Sequence, residues 1–278
     1  MSRRPKTQNA PAAPLAPTAA PTHRHHRLDA LRTLAMVWMT GFHLAFDLNH
    51  FGWVERQNFY ADPFWTWQRT AIVSLFLFTA GLAQAVALHQ QGLLQRPPLQ
   101  RLDARFWRRW AQVAGAALLV SAGSALMFPN SWIYFGVLHG LAVMLLLARL
   151  SAGWGQWLWL AGGAVLALRA GAQALHHATD RWHALHDPLW NWLGAIAQKP
   201  ITEDHVPLLP WLAAVWWGLA AGLWVLRHKP HWLNPPGPAA WERRCLPHLA
   251  LPGRWSLSYY LLHQPVLIGA ILALGLLR

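Results

Sequence analysis

Long apolar stretches separated by short polar segments dominate the chain from Leu28 onward. Several of these stretches run for about 20 residues, the length that a helix needs to cross the hydrocarbon core of a bilayer. Because a backbone in hydrocarbon must satisfy its own hydrogen bonds, each stretch predicts a helix. The fold class predicted is therefore all-α, a polytopic bundle in a membrane. Seven spans are expected, at residues 31–50, 70–89, 108–127, 132–149, 154–171, 208–226 and 255–276.

The composition agrees with a membrane protein. Only 12% of the residues are charged, against about a quarter in a typical soluble domain. Residues 1–27 are basic and rich in Pro and Ala, without the apolar segment of a signal peptide, and they predict a disordered arm. Residues 28–278 are expected to form one membrane domain. The single Cys245 leaves no internal disulfide and no CxxC motif.

The positive charges predict the orientation. Lys and Arg concentrate in two loops, and loops of this kind face the cytoplasm. The formal net charge of +13 therefore points to the lipid surface, and no nucleic acid partner is expected. We predict a multi-pass protein of the inner (cytoplasmic) membrane, with a cytoplasmic N-terminus and the 172–207 loop outside. The basic residues of the two loops are Arg96, Arg101, Arg105, Arg108 and Arg109, and then Arg227, Lys229, Arg243, Arg244 and Arg254.

The first span carries His43, Asp47 and His50 on one helical face. Ionisable side chains inside a membrane are costly and usually functional. Asp47 follows His43 by one turn, from where a carboxylate can orient an imidazole and stabilise its protonated form. We interpret His43 and Asp47 as catalytic, with His43 as a general base. His50 lies at the outer interface and needs no special role.

Other polar residues are candidates for substrate binding. His139 and His263 lie on two other spans at depths near that of His43, and Gln264 follows His263. They either approach His43 or form ordinary hydrogen bonds between helices. Asp29 and Arg32, near the cytoplasmic end of the first span, form either a local ion pair or a contact with an anionic substrate. The arginines at 96–109 are likewise either a lipid-facing loop or a phosphate-binding cluster.

Four histidines in the predicted outer loop suggest a metal site as an alternative to a solvated amphipathic helix. They are His176, His177, His183 and His186. His183 and Asp187 share one helical face, but no cysteine or recognised zinc-ligand spacing accompanies them. The solvated helix is the default interpretation, and no metal is expected.

Five segments together resemble a known family. LDALRTLA and FHLAFDLNHFGW within residues 28–53, SLFLFTAGLAQA at 74–85 and IYFGVLHGLAV at 133–143 resemble its first signatures. DHVPLLPW at 204–211 and GRWSLSYYLLHQPVL at 253–267 resemble its closing ones. The family is that of the bacterial relatives of heparan-α-glucosaminide N-acetyltransferase, in the transmembrane acyltransferase superfamily. The opening motif of that family usually reads Asp-x-x-Arg-Gly, and Thr33 here replaces the glycine.

The resemblance implies transfer of an acyl group, typically acetyl, from cytoplasmic acetyl-CoA to a hydroxyl or amine of a sugar-like acceptor across the membrane. By the match of FHLAFDLN, it implies the catalytic-histidine role for His43. The expected partners are acyl-CoA, a sugar or glycan and the lipid bilayer. The oligomeric state stays open, with a homodimer among the options.

Two other classes of function use the same residues. A non-enzymatic transporter or binding protein would use them as a translocation path for a small molecule. An electron carrier would use two of the intramembrane histidines as axial ligands of a haem.

Overall fold

The computed structural model describes residues 25–179, 185–233, 235 and 239–276. The regular secondary structure of this part of the chain is helical, apart from one isolated bridge between Phe135 and His205. Its long helices are α1 (His26–His50), α2 (Pro63–Gln90), α3 (Ala104–Met127), α4 (Val137–Ser151), α5 (Trp157–Ala178) and α6 (Leu208–His228), followed at the end by α10 (Ser256–Gly275). The short helices α7 (Pro230–Leu233), α8 (Ala240–Leu249) and α9 (Leu251–Arg254) connect α6 to α10. Short 3₁₀ turns lie at Pro98–Arg101, Ala152–Trp154 and Asn191–Leu193.

Each predicted span corresponds to a long helix, and the all-α polytopic fold class is confirmed. Among the described residues, six of these helices are long and apolar enough to cross a membrane. Helix α1 is not one of the six, because polar side chains such as His43 and Asp47 lower its hydropathy. The count of seven crossings therefore stays a prediction. Residues 1–24 of the predicted arm lie outside the described residues, and the last part of that arm, from His26, already belongs to α1.

The predicted start of the fourth span, residue 132, is wrong because residues 128–136 form an irregular segment. The backbone of this segment pairs with the loop before α6, since Glu203 N donates to Ser131 O and Val206 N donates to Phe135 O. These bonds satisfy backbone groups that a helix would otherwise satisfy itself. Helix α4 therefore begins at Val137.

The centre of the bundle is the contact between α2 and α6. A Cβ atom added to Gly81 of α2 would lie 2.0 Å from the carbonyl oxygen of Val215, and one added to Gly218 of α6 would lie 2.0 Å from that of Phe78. Both glycines thus let two backbones touch, as small residues do between membrane helices. Helix α5 packs on α6, α1 packs on α2, and α10 packs on α1. Helices α5 and α10 thus make no substantial contact with each other.

The ends of the helices lie at two opposite faces of the bundle. The basic face holds the start of α1, residues 91–103, residues 229–233 and residues 239–255, joined by the Arg27–Glu242 ion pair. The opposite face holds residues 51–62, 128–136 and 185–207, joined by a hydrogen bond from Asn191 to the Tyr134 hydroxyl. That the basic face is the cytoplasmic one stays a prediction.

Candidate active site

Two of the three predicted intramembrane histidines meet between α1 and α10. The rings of His43 and His263 pack edge to face, with centroids 5.2 Å apart. No motif in the sequence shows that these helices are neighbours, because residues 43 and 263 stand at opposite ends of the chain. The contact brings two imidazoles, each with nitrogen atoms that can accept or donate a proton, into one site.

His263 has one ring nitrogen bound and one unbound. Its Nδ1 lies 2.7 Å from the carbonyl oxygen of Tyr260. A carbonyl only accepts, so Nδ1 carries the hydrogen and Nε2 of the neutral ring is an acceptor. This Nε2 is buried and makes no hydrogen bond within the described part of the protein. Such an atom is suited to receive a proton from a substrate.

Asp47 is bound to α10. Its carboxylate accepts both recorded hydrogen bonds from Gln264 Nε2, at 2.9 and 3.1 Å. The Asp47 side chain is buried, so this amide compensates part of the cost of removing a carboxylate from water. The structure thus gives Asp47 a partner other than His43, and its predicted role in orienting His43 stays a prediction. Gln264 Oε1 is buried without a hydrogen bond to any described residue.

The sequence analysis missed Thr40 and Tyr259. Their hydroxyl groups share a hydrogen bond of 2.6 Å between α1 and α10, and the Tyr259 ring stacks on His263 at 6.0 Å. Thr40 precedes His43 by one helical turn, and Tyr259 precedes His263 by one turn. This same-face spacing is the signal that could have found both residues.

His139 lies elsewhere. Its Nε2 is 3.1 Å from the Ser121 hydroxyl on α3, and its Nδ1 accepts from Gly136 N at 3.3 Å. Among the described residues no contact joins it to His43 or to His263. The bond to Ser121 agrees with one of the two interpretations of the sequence, an ordinary hydrogen bond between helices. A role for His139 in substrate binding stays a prediction.

At the basic face Asp29 and Arg32 form an ion pair of 2.9 Å, with Asp29 buried. Thr33 stands where the related motif has glycine, yet α1 and α9 still touch closely. The glycine is supplied from the other side, because a Cβ on Gly253 would lie 2.0 Å from Asp29 O. The Thr33 hydroxyl accepts a 2.9 Å hydrogen bond from Gly253 N. The close backbone approach thus persists despite the substitution.

The arginines of residues 96–109 divide into two kinds. Arg101 is buried and donates to the carbonyl oxygens of Arg96 and Leu150. Burial also lowers its pKa from the usual value. Arg101 therefore ties the loop to the end of α4. The other arginines are exposed at the basic face and able to meet an anion: Arg96, Arg105, Arg108 and Arg109.

A charged cluster lies at the opposite face, before α6. Asp204 accepts a 2.7 Å hydrogen bond from Val137 N, the first residue of α4, where the helix dipole favours a negative charge. Burial raises the pKa of Asp204 and lowers that of Lys199. Burial, followed by the charge of Lys199, lowers the pKa of His205 to about 4. The His205 ring nitrogens are buried and lack a well-formed hydrogen bond among the described residues.

Two of the outer-loop histidines, His176 and His186, make contacts within the protein. His176 Nε2 lies 2.9 Å from Ala195 O, and the His176 and His186 rings pack at 5.1 Å. No group of His, Cys, Asp and Glu in the described ranges could hold a metal ion. His183 lies outside those ranges, so its pairing with Asp187 is not described.

The comparisons with known proteins bear on this arrangement. Searches of curated proteins and of solved structures found no significant match. The family model for the catalytic domain of heparan-alpha-glucosaminide N-acetyltransferase matches residues 24–265. That match covers α1 with His43, the close contact of Gly253 with α1, and α10 as far as Pro265. The chain therefore belongs to the heparan-alpha-glucosaminide N-acetyltransferase family, whose members are membrane acetyltransferases.

Proposed function

We propose that this protein transfers an acetyl group from acetyl-CoA, bound at the basic face, to an amine or hydroxyl of a sugar-like acceptor that enters from the opposite face. In this proposal the basic face is cytoplasmic and the protein resides in the inner membrane. The proposal goes beyond membership of an acetyltransferase family, because it names the donor, the acceptor and the direction of transfer.

The observation that carries the proposal is the contact between His43 and His263 inside the bundle. An isolated histidine in a membrane helix is explained by one hydrogen bond to a neighbour. Here two imidazoles touch, and His263 Nε2 is left with no bond to a described residue. Leaving a buried acceptor unpaired costs about 1–3 kcal/mol. A reacting group that bonds to Nε2 during turnover would account for this unpaired acceptor.

The chemistry needs a nucleophile and a proton acceptor. In direct transfer the acceptor nitrogen or oxygen attacks the thioester carbonyl, its proton passes to an imidazole, and the carbon–sulfur bond breaks to release CoA. In transfer through the enzyme, a His43 nitrogen attacks the thioester carbonyl, the carbon–sulfur bond breaks to release CoA, and the acceptor then attacks the acetyl group and frees His43. Either route uses His43 as the reacting group and His263 Nε2 as a proton acceptor beside it.

The two faces suit the two substrates. CoA carries phosphate groups, and the exposed arginines at the start of α3, such as Arg108 and Arg109, offer charge-assisted hydrogen bonds to phosphate. Arg32 lies at the same face, although its recorded bond is to Asp29. Helix α1 runs from this face past His43 to the opposite face. It thus borders the whole path from donor to acceptor.

The test is an acetyl-transfer assay on the purified full chain in detergent. Acetyl-CoA and an α-glucosaminide are supplied, and both CoA release and acetylated product are measured. His43→Ala is expected to reduce turnover by about 10³-fold or more, because a reacting imidazole is lost. His50→Ala is the matched control, since it removes an exposed imidazole two turns further along α1.

Wild-type turnover in a folded His43→Ala variant would remove His43 from the mechanism. If the wild type releases no CoA with any amine or hydroxyl acceptor, yet moves a labelled glucosaminide across proteoliposomes, the transporter interpretation replaces acetyl transfer. An absorption spectrum of the same sample tests for haem, which would give a Soret band.

A further inference from the structure

A groove of small apolar residues lies on α5. It has a volume of about 580 Å³ and is lined by Ala164, Leu168 and Gly171 of α5, together with Ala195 and Leu209. Volumes of about 300–1,000 Å³ are usual for sites that hold a small molecule. Helix α5 packs on α6 and makes no substantial contact with α1 or α10. The groove is therefore separate from the proposed site of acetyl transfer.

The groove faces the bilayer. Only 17% of the apolar 18-residue stretch of α5 is buried inside the protein. A Cβ added to Gly171 would meet nothing within 4 Å, so no other described residue fills this place. In a membrane, hydrocarbon chains cover such a surface. The small Gly and Ala side chains leave room for one of these chains to pack in the groove.

Arg169 adjoins Leu168, a groove residue, although Arg169 is not part of the lining itself. It lies on α5 between Leu168 and Gly171, close to residue 171, where the predicted membrane span ends. Its guanidinium donates to the carbonyl oxygen of Ile196, the neighbour of the groove residue Ala195. In the described residues this is its only recorded bond, and no carboxylate pairs with it. A half-buried arginine at a membrane interface keeps several donors for an anion.

The loop beside the groove is held in place. Arg169 bonds to Ile196 O, and His176, two turns later on α5, lies 2.9 Å from Ala195 O. Both side chains fix residues 195–196 against the helix. The groove and the guanidinium therefore keep a constant distance from each other, as a site for one molecule with an apolar part and an anionic part requires.

We propose that this groove binds a phospholipid from the leaflet on the opposite face, with one acyl chain along α5 and the phosphate on Arg169. A phosphate accepts charge-assisted hydrogen bonds from the planar guanidinium. A second copy of the chain fits less well. A two-fold contact between α5 helices would bring a second Arg169, and the exposed face of α5 carries no carboxylate to offset it. A lipid phosphate supplies the missing anion.

The experiment is native mass spectrometry of the delipidated full chain in detergent, titrated with phosphatidylglycerol. Diacylglycerol with the same acyl chains lacks the phosphate, and glycerol 3-phosphate lacks the chains. We expect one saturable phosphatidylglycerol adduct and markedly weaker binding of both partial ligands. Arg169→Gln should weaken the phosphatidylglycerol adduct about tenfold, the loss typical of one charge-assisted hydrogen bond.

Gly171→Leu should fill the groove and weaken the adduct without disturbing the fold, since its Cβ has open space. Gly123→Leu on the exposed part of α3, where a Cβ also meets nothing within 4 Å, is the matched control. Arg69→Gln removes an exposed arginine at the same face and should leave the adduct unchanged.

Three outcomes overturn the proposal. Equal binding of diacylglycerol shows that the phosphate is not recognised. An unchanged adduct in Arg169→Gln shows that phosphate binds elsewhere. If Gly171→Leu converts a dimer to a monomer while the adduct persists, the groove is an interface between copies of the chain.

Discussion

Two buried polar regions of this protein differ in one respect, the completeness of their hydrogen bonds. At the basic face Arg149 of α4 is 3% exposed and donates to Gln84 at 2.6 Å, to Gln91 at 3.2 Å and to Arg101 O at 2.9 Å. Between α1 and α10, by contrast, His263 leaves Nε2 unbonded among the described residues. We call the first region closed, because Arg149 is bound to several partners, and the second region open, because His263 Nε2 is not bound by any described residue.

The difference separates structural from chemical roles. A buried cation that donates to Gln84, Gln91 and the Arg101 carbonyl holds the elements carrying these residues together. An unpaired buried acceptor is a cost that stability alone does not explain. By this measure Arg149 is a structural residue that joins α2, α4 and the loop at Arg101. The pair of His43 and His263 is the better candidate for chemistry.

The largest expected effect, on the free energy of unfolding, comes from removing the hydrogen-bond donors of Arg149 in the closed region. Arg149→Met keeps the length of the side chain and removes its donors, which leaves the Gln84 and Gln91 oxygens and Arg101 O without their partner. We expect a loss of about 3–5 kcal/mol in the free energy of unfolding, as for a broken buried network. Thermal unfolding in detergent measures it.

Arg108→Met is the control, because Arg108 is an exposed arginine of the neighbouring helix α3. It should change the free energy of unfolding by no more than about 0.5 kcal/mol. Equal melting temperatures for the two variants would show that Arg149 does not hold the helices together.

The next effect concerns the open region. His263→Ala should lower turnover about 10²-fold, roughly 3 kcal/mol in the barrier, while the melting temperature stays near that of the wild type. Because the two imidazoles act together, the His43→Ala, His263→Ala double variant should be no slower than His43→Ala alone. The acetyl-transfer assay measures both.

The matched control for this prediction is His248→Ala, an exposed histidine of α8. Additive losses in the double variant would mean that the rings act independently. A large drop in melting temperature for His263→Ala with full turnover would make the open region structural as well.

The smallest effect is a dependence of stability on pH through His205. Its folded pKa of about 4 lies below the usual histidine value of 6.5, because burial disfavours the charged ring. Between these values the unfolded chain binds more protons, so the contribution to stability is complete above pH 6.5 and is lost as the pH falls to 4. Since the ring is only partly buried, we expect about 1–2 kcal/mol.

The free energy of unfolding is measured between pH 4 and 7 for the wild type and for His205→Gln. The difference between the two isolates the contribution of His205. Asp204 titrates in both proteins, so the difference between the two curves belongs to His205. Parallel curves would show that His205 is not held neutral by its surroundings.

Much of the fold could be predicted from the sequence because apolar length has few structural solutions in a membrane. The long helices, the small residues at the contact of α2 and α6, and the local pair of Asp29 and Arg32 follow from patterns within about one span. The start of α4 could not be predicted this way, because residues 128–136 obtain their hydrogen bonds from Glu203 and Val206, far along the chain.

The sequence by itself determined the class of protein, the long helices and the histidine around which the proposed chemistry is built. Only the tertiary structure decided which polar groups meet. It placed His263 and Gln264 beside α1, assigned Asp47 to Gln264, and put His139 against Ser121. Helical periodicity specifies the face on which a side chain lies, whereas the helix opposite that face depends on the packing of the whole bundle.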